Sequence, residues 1–159
     1  MTNRQQPHVV VLPEDAANAR LANGFLLDPS VVDKKIQVLL PAGGWHKVLD
    51  SFVSYHVAEM SRYPHRFMVL LIDFDGQVGR LERAKRIIPD HLTDRVFILG
   101  VRTEPEDLRR TLGSYESIGK ALAKDCREET QDTWGHDLLR HNAGEIDHLR
   151  ERVRPILFG

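Results

Sequence analysis

Residues 67–76 read Phe-Met-Val-Leu-Leu-Ile-Asp-Phe-Asp-Gly, and the abrupt change from an apolar run to paired carboxylates decides the fold. A strand apolar at every position, rather than at every second one, is covered on both faces, which is the mark of a central strand in a parallel sheet. Its carboxyl end then carries Asp73 and Asp75.

Upstream, Val9 to Leu12 forms a short β-branched run closed by Pro13, read as the first strand. Glu14 and Asp15 follow and lead into a helix-forming stretch, Ala16 to Ala22, that Asn23-Gly24 is expected to stop. Ile36 to Leu40 reads as a second strand, Pro41-Ala-Gly-Gly44 as a loop, and Trp45 to Met60 as a helix with Val48, Leu49, Phe52, Val53 and Val57 at helical spacing. Downstream, residues 77–88 read as a helix and Arg95 to Leu99 as a fourth strand before Gly100. This alternation predicts an α/β fold, a small, mostly parallel four-stranded sheet with helices on both faces, built by right-handed crossovers. Ligands are expected at the carboxyl ends of its strands, where Glu14 and the Asp73/Asp75 pair both fall. After Glu104-Pro-Glu106 the chain turns helical, around residues 105–112, 117–129 and 143–153, with Pro155 closing the last helix. We therefore expect one domain over residues 1–159, with a core at about 8–125 and a helical C-terminal segment that packs on the sheet or on a second subunit.

Composition bounds the function classes. The 159 residues are 42% hydrophobic and 28% charged, ordinary for a globular chain that builds its own core. A net charge of −1 excludes holding nucleic acid by bulk electrostatics, so any such contact must be local. Basic residues do cluster, as Arg80, Arg83, Lys85 and Arg86 and again as Arg102, Arg109 and Arg110. Apolar runs fall far short of the roughly 20 residues that span a bilayer, and residues 1–7 lack the pattern of a secretory leader. A cytoplasmic location is expected. The single cysteine, Cys126, agrees with it and is read as inert.

Chemistry concentrates in the acids. Two carboxylates at i and i+2 of an extended segment point the same way, so Asp73 and Asp75 can grip one cation while Phe74 turns into the core. Mg²⁺ or Mn²⁺ suits carboxylate oxygens and activates water against a phosphodiester. Glu14, at the equivalent end of the first strand, joins them, and Glu104 and Glu106 follow the fourth strand in the same sense. An Asp- and Gly-rich turn would show the same letters without any ion.

This order of motifs resembles the Toprim domain of topoisomerases, bacterial primases and several nucleases: a glutamate after strand one, here Val9-Val-Val-Leu-Pro-Glu14, and Asp-x-Asp after strand three, here Leu70-Leu-Ile-Asp73-Phe-Asp75. The likeness is greatest to the overcoming-lysogenisation-defect nucleases, whose later glutamate pair is matched by Arg102-Thr-Glu104-Pro-Glu106-Asp-Leu108. It implies a Mg²⁺-dependent nuclease with Glu14, Asp73, Asp75, Glu104 and Glu106 as ligands and a catalytic lysine. Lys120 is the best match for that lysine, with Lys124 the other candidate. It further implies a nucleic-acid substrate, DNA ahead of RNA, and a role in bacterial phage defence or DNA repair. Because the chain has no Gly-x-x-x-x-Gly-Lys phosphate loop, the ATPase that often accompanies such nucleases must be a separate chain; a homodimer or hetero-complex is expected. The sequence departs from the pattern at Asp15, where glycine is usual, and at Asn18, where an acid is usual and the amide ligates Mg²⁺ less strongly.

Lys47, Arg80 and Arg102 are the candidate contacts to nucleic-acid phosphates, Lys47 because it follows a glycine loop at a helix start. Trp45 and Trp134 are read as packing residues, and the eight histidines lack zinc spacing. Ile72-Asp-Phe-Asp-Gly76 also resembles the motif of haloacid-dehalogenase phosphatases, with Asp73 as nucleophile and Asp75 as acid. There the motif lies on the first strand, whereas here a long segment precedes it. A non-catalytic, Toprim-like binding module is the third reading.

Overall fold

β-Branched and aliphatic runs become strands where the chain is apolar on both sides, and the computed structural model, which describes residues 3–77 and 79–159, contains four of them. They are β1 (His8–Pro13), β2 (Ile36–Val38), β3 (Arg66–Leu71) and β4 (Val96–Leu99), all parallel in the order β2-β1-β3-β4. β1 and β3 pair from His8↔Arg66 to Pro13↔Leu71, so their carboxyl ends finish level with one another. Because the chain moves to one side of β1 for β2 and to the other for β3, a crevice opens between β1 and β3 at their carboxyl ends.

Helices α1 (Ala16–Phe25), α5 (Pro105–Leu112), α6 (Tyr115–Glu128) and α7 (Ala143–Phe158) cover one face of the sheet. α2 (Trp45–Ser51), α3 (Val57–Arg62) and α4 (Gly79–Arg86) cover the other. Alternation along β3 serves both layers: Phe67 and Val69 enter the first core, while Met68, Leu70, Ile72 and Phe74 enter the second. The C-terminal segment packs on the sheet, burying Trp134, Leu139, Ile146, Leu149, Val153 and Leu157 in the first core. It also protects the open edge of β4. Asn142 accepts from the Gly100 N–H at 3.2 Å and donates to its carbonyl at 3.0 Å, and Glu145 accepts from the Ile98 N–H at 3.3 Å.

Three boundaries differ from the sequence reading. α1 runs through Asn23-Gly24 instead of stopping there, because Gly24 is a packing glycine: a Cβ on it would lie 2.6 Å from the Glu116 carbonyl oxygen of α6. The helix expected over Trp45 to Met60 is broken by a π turn, Phe52–His56, between α2 and α3. α7 continues through Pro155, which lies on its exposed side.

Candidate metal centre

The backbone fixes Glu14 from both sides. Its N–H donates to the Leu71 carbonyl at the end of β3 at 2.8 Å, and its carbonyl accepts from Gly43 at 2.8 Å and Gly44 at 3.1 Å. The glycine loop therefore spends those N–H groups on Glu14 and forms a wall of the crevice. Gly44, at φ 144°, is a conformation that side chains rarely adopt.

Asp15 caps α1, its Oδ1 accepting from the Asn18 N–H at 3.0 Å. The fully buried Asn18 amide donates to Asp15 Oδ1 at 3.0 Å and to Asp73 Oδ1 at 2.8 Å, tying the two carboxylates together. Glu14, Asp15 and Asp73 each present an oxygen within 4.8 Å of the others. Glu14 and Asp73 are buried, and Glu14 Oε1 has no hydrogen-bond partner among the described residues.

Electrostatics reflect that crowding. Burial pushes the Asp73 carboxyl up to about 8, against the pull of the Asn18 hydrogen bond and with help from Glu14 beside it. Burial likewise raises Glu14, with Asp73 hydrogen bonding and Arg80 opposing the rise. Without a cation the pair is eased by holding a proton. An ion would remove that need, and the donor set fits one: hard carboxylate oxygens, an orphaned Oε1, and Asp15, the half-buried member of the three.

No family model, no curated protein and no solved structure matches this chain.

The other candidate residues are arranged differently from the expectation. Asp75 does not join the three acids, because the extended backbone ends before it: Asp75 (φ 48°) and Gly76 (φ 70°) form a left-handed turn, so Asp73 and Asp75 do not point the same way. Phe74 does turn into the core. Arg80, expected to meet nucleic acid, is buried and engaged within the chain. It donates to the Asp73 carbonyl at 2.7 Å, pairs with Asp75 Oδ2 at 3.1 Å and stacks over Trp45 at 4.6 Å. Its place is behind the acidic loop, holding it.

Glu104 and Glu106 are exposed at the start of α5 and outside the acid group; repulsion, chiefly from Glu106 and also from Asp75, raises Glu104. Arg102 is exposed beside the Asp75 turn, its carbonyl accepting from Gly76 at 2.8 Å. Lys47 is exposed and its side chain runs past Gly43, close to the crevice. Lys120 lies elsewhere, in a recess with Asp28, Pro29, Ser117, Lys124 and Arg127, and Asp28 follows the end of α1 opposite to Asp15. Cys126 is buried, its thiol pushed up to about 11 by desolvation, which suits an inert residue. Sequence reasoning passed over Asp15 as a ligand. Its cap position before Ala16 was the available signal.

Proposed function

We propose that Glu14, Asp15 and Asp73 hold one divalent cation, Mg²⁺ or Mn²⁺, and that the chain uses this centre to cut or nick nucleic-acid phosphodiesters. The observation that carries the reading is the meeting of Glu14 and Asp73, buried carboxyls from the ends of neighbouring strands, with Glu14 Oε1 left unpartnered. Such a pair is costly unless it keeps a proton or gains a cation. When bound, the ion supplies charge neutralisation on phosphoryl oxygens and a more acidic water.

The chain's own residues do the positioning. Asn18 orients the Asp15 and Asp73 carboxylates, and Arg80 holds the Asp73 backbone and keeps Asp75 to one side. Lys47 and Arg102, exposed near the rim, are suited to flanking phosphates. The Toprim-like order of motifs supports DNA ahead of RNA, and a separate ATPase chain or a second copy as partner. The lone buried thiol is in keeping with a cytoplasmic setting.

The test is incubation of the purified protein with plasmid DNA, single-stranded oligonucleotide and para-nitrophenyl phosphate, each with Mg²⁺, Mn²⁺ or EDTA. Strand cleavage that needs the metal and disappears in Asp73→Asn and Glu14→Gln is the expected result. Nitrophenol release would instead favour a phosphatase, and Mn²⁺ binding without cleavage a binding module. Absence of any saturable Mn²⁺ binding removes the proposal.

A further inference from the structure

The amino edge of the sheet carries a second concentration of charge, opposite in sign to the first. Arg66 opens β3 and is only 5% exposed. Its Nε donates to His8 Nε2 at 3.0 Å, and the other His8 nitrogen lies 2.9 Å from the Gln6 carbonyl. The terminal guanidinium nitrogens of Arg66 have no hydrogen-bond acceptor among the described residues. Its Nη1 does form a long ion pair with Glu59, at 4.0 Å.

Two more guanidiniums join it around one ring. Arg66, Arg4 and Arg62 lie 5.0, 5.3 and 5.5 Å from the Tyr63 centroid, and Arg4 also donates to the Tyr63 hydroxyl at 3.3 Å. A ring has two sides, so at least two of these cations share one. Neither Arg4 nor Arg62 makes an ion pair among the described residues. His56, which ends the π turn, is buried with its Nδ1 unpartnered and feels the charge of Arg66. Arg95 is different: it is spent on the Tyr63, Arg66 and Met60 carbonyls and serves the fold.

Ring faces attract cations, but guanidiniums crowded on one ring repel each other, and Glu59 is one carboxylate against them. What the cluster lacks is an anion with several oxygens, matched to forked N–H donors.

We propose that this face binds a phosphate group, gripped by Arg4, Arg62 and Arg66 against the Tyr63 ring. Arg66, pre-positioned by His8, supplies the buried donor, and the exposed Arg4 and Arg62 close over the group from outside. The site is separate from the acidic centre: Arg66 and Asp73 stand at opposite ends of β3, about 20 Å apart along an extended chain. It therefore stands whether or not the metal proposal does, and its test is run in EDTA. Two sources offer this chemistry, free phosphate and the 5′-phosphate of a nucleic-acid end.

Calorimetric titration with inorganic phosphate, and fluorescence titration with 5′-phosphorylated and 5′-hydroxyl forms of one single-stranded oligonucleotide, distinguish them. We expect saturable binding in at least one phosphate-bearing arm, weakened roughly tenfold by Arg4→Gln or Arg62→Gln. Preference for the 5′-phosphorylated strand assigns the nucleic-acid end; binding of inorganic phosphate without that preference assigns the free ion. Arg4 and Arg62 are exposed, so their substitution leaves the fold intact even where Arg66→Gln does not. Absence of saturable binding in every phosphate-bearing arm, or binding indifferent to both arginine substitutions, overturns the proposal.

Discussion

Asp73 is the residue on which the acidic centre turns, and its titration makes that testable without any substrate. Its carboxyl ordinarily titrates at 3.8 and here does so at about 8, driven first by burial. A group raised in the folded state contributes its stability fully below the unfolded value and loses it as pH rises through the folded one. In EDTA this carboxyl therefore weakens the fold steadily from about 4 to about 8, and Glu14, also raised, acts with the same sign. His8, His56 and His141 are lowered by burial, so their contribution is full above 6.5 and is lost only on acidification. The interval from 6.5 to 8 thus isolates the carboxyls. We expect the urea midpoint of the metal-free protein to fall across it, and the fall to shrink in Asp73→Asn; equal slopes in the two proteins would contradict the assignment. Arg80 gives a second residue-scale prediction. It touches the backbone of Asp73 and the side chain of Asp75 without belonging to the acid group, so Arg80→Gln should weaken Mn²⁺ binding by roughly 10-fold to 100-fold while leaving the fold cooperative. Electron paramagnetic resonance of free Mn²⁺ reads the first quantity and a urea transition the second.

At the scale of elements, α1 and α6 pack backbone against backbone. A Cβ on Gly119 would lie 2.1 Å from the Leu21 carbonyl oxygen, and one on Gly24 2.6 Å from the Glu116 carbonyl oxygen, so each glycine lets the opposing backbone in. Gly119→Ala must push the helices apart, at a cost of about 1–3 kcal/mol, lowering the thermal midpoint. Because Asp15 and Asn18 sit on the first turn of α1, the same substitution should also loosen the metal site; an unchanged midpoint would show that the contact relaxes freely. These elements also show what was legible beforehand. The strands at Val9, Phe67 and Val96 were readable because an unbroken apolar run is a local signal, and the alternation with helices then put Glu14 and Asp73 on one edge. Asp75 was misdirected because its reading assumed an extended chain, and only the left-handed backbone at Asp75 and Gly76 ends that extension. Lys120 was drawn from motif order, which carries nothing about the register of α6 against α1. Gly24 read as a stop because a packing glycine and a terminating glycine look alike until the partner helix is known.

For the whole molecule, the acidic centre is a clasp between the first and third strands and the first helix, so filling it should stabilise everything those elements hold. The linkage is RT ln(1 + [L]/Kd), or about 2.7 kcal/mol at a hundredfold excess over Kd. Mn²⁺ should therefore raise the thermal midpoint of the wild-type chain and not that of Glu14→Gln or Asp73→Asn. The pH dependence follows from the same carboxyl. Below about 8 the ion must displace the proton that Asp73 and Glu14 hold between them, so apparent affinity should climb by up to about tenfold per pH unit towards 8 and level off above it. Calorimetric titration of Mn²⁺ in two buffers of different ionisation enthalpy counts that proton directly. Near neutrality close to one proton should leave for each ion bound, and well above 8 almost none. An uptake free of proton release at neutral pH would mean that the ion settles on the exposed carboxylates of Asp75, Glu104 and Glu106, leaving the buried pair with its proton.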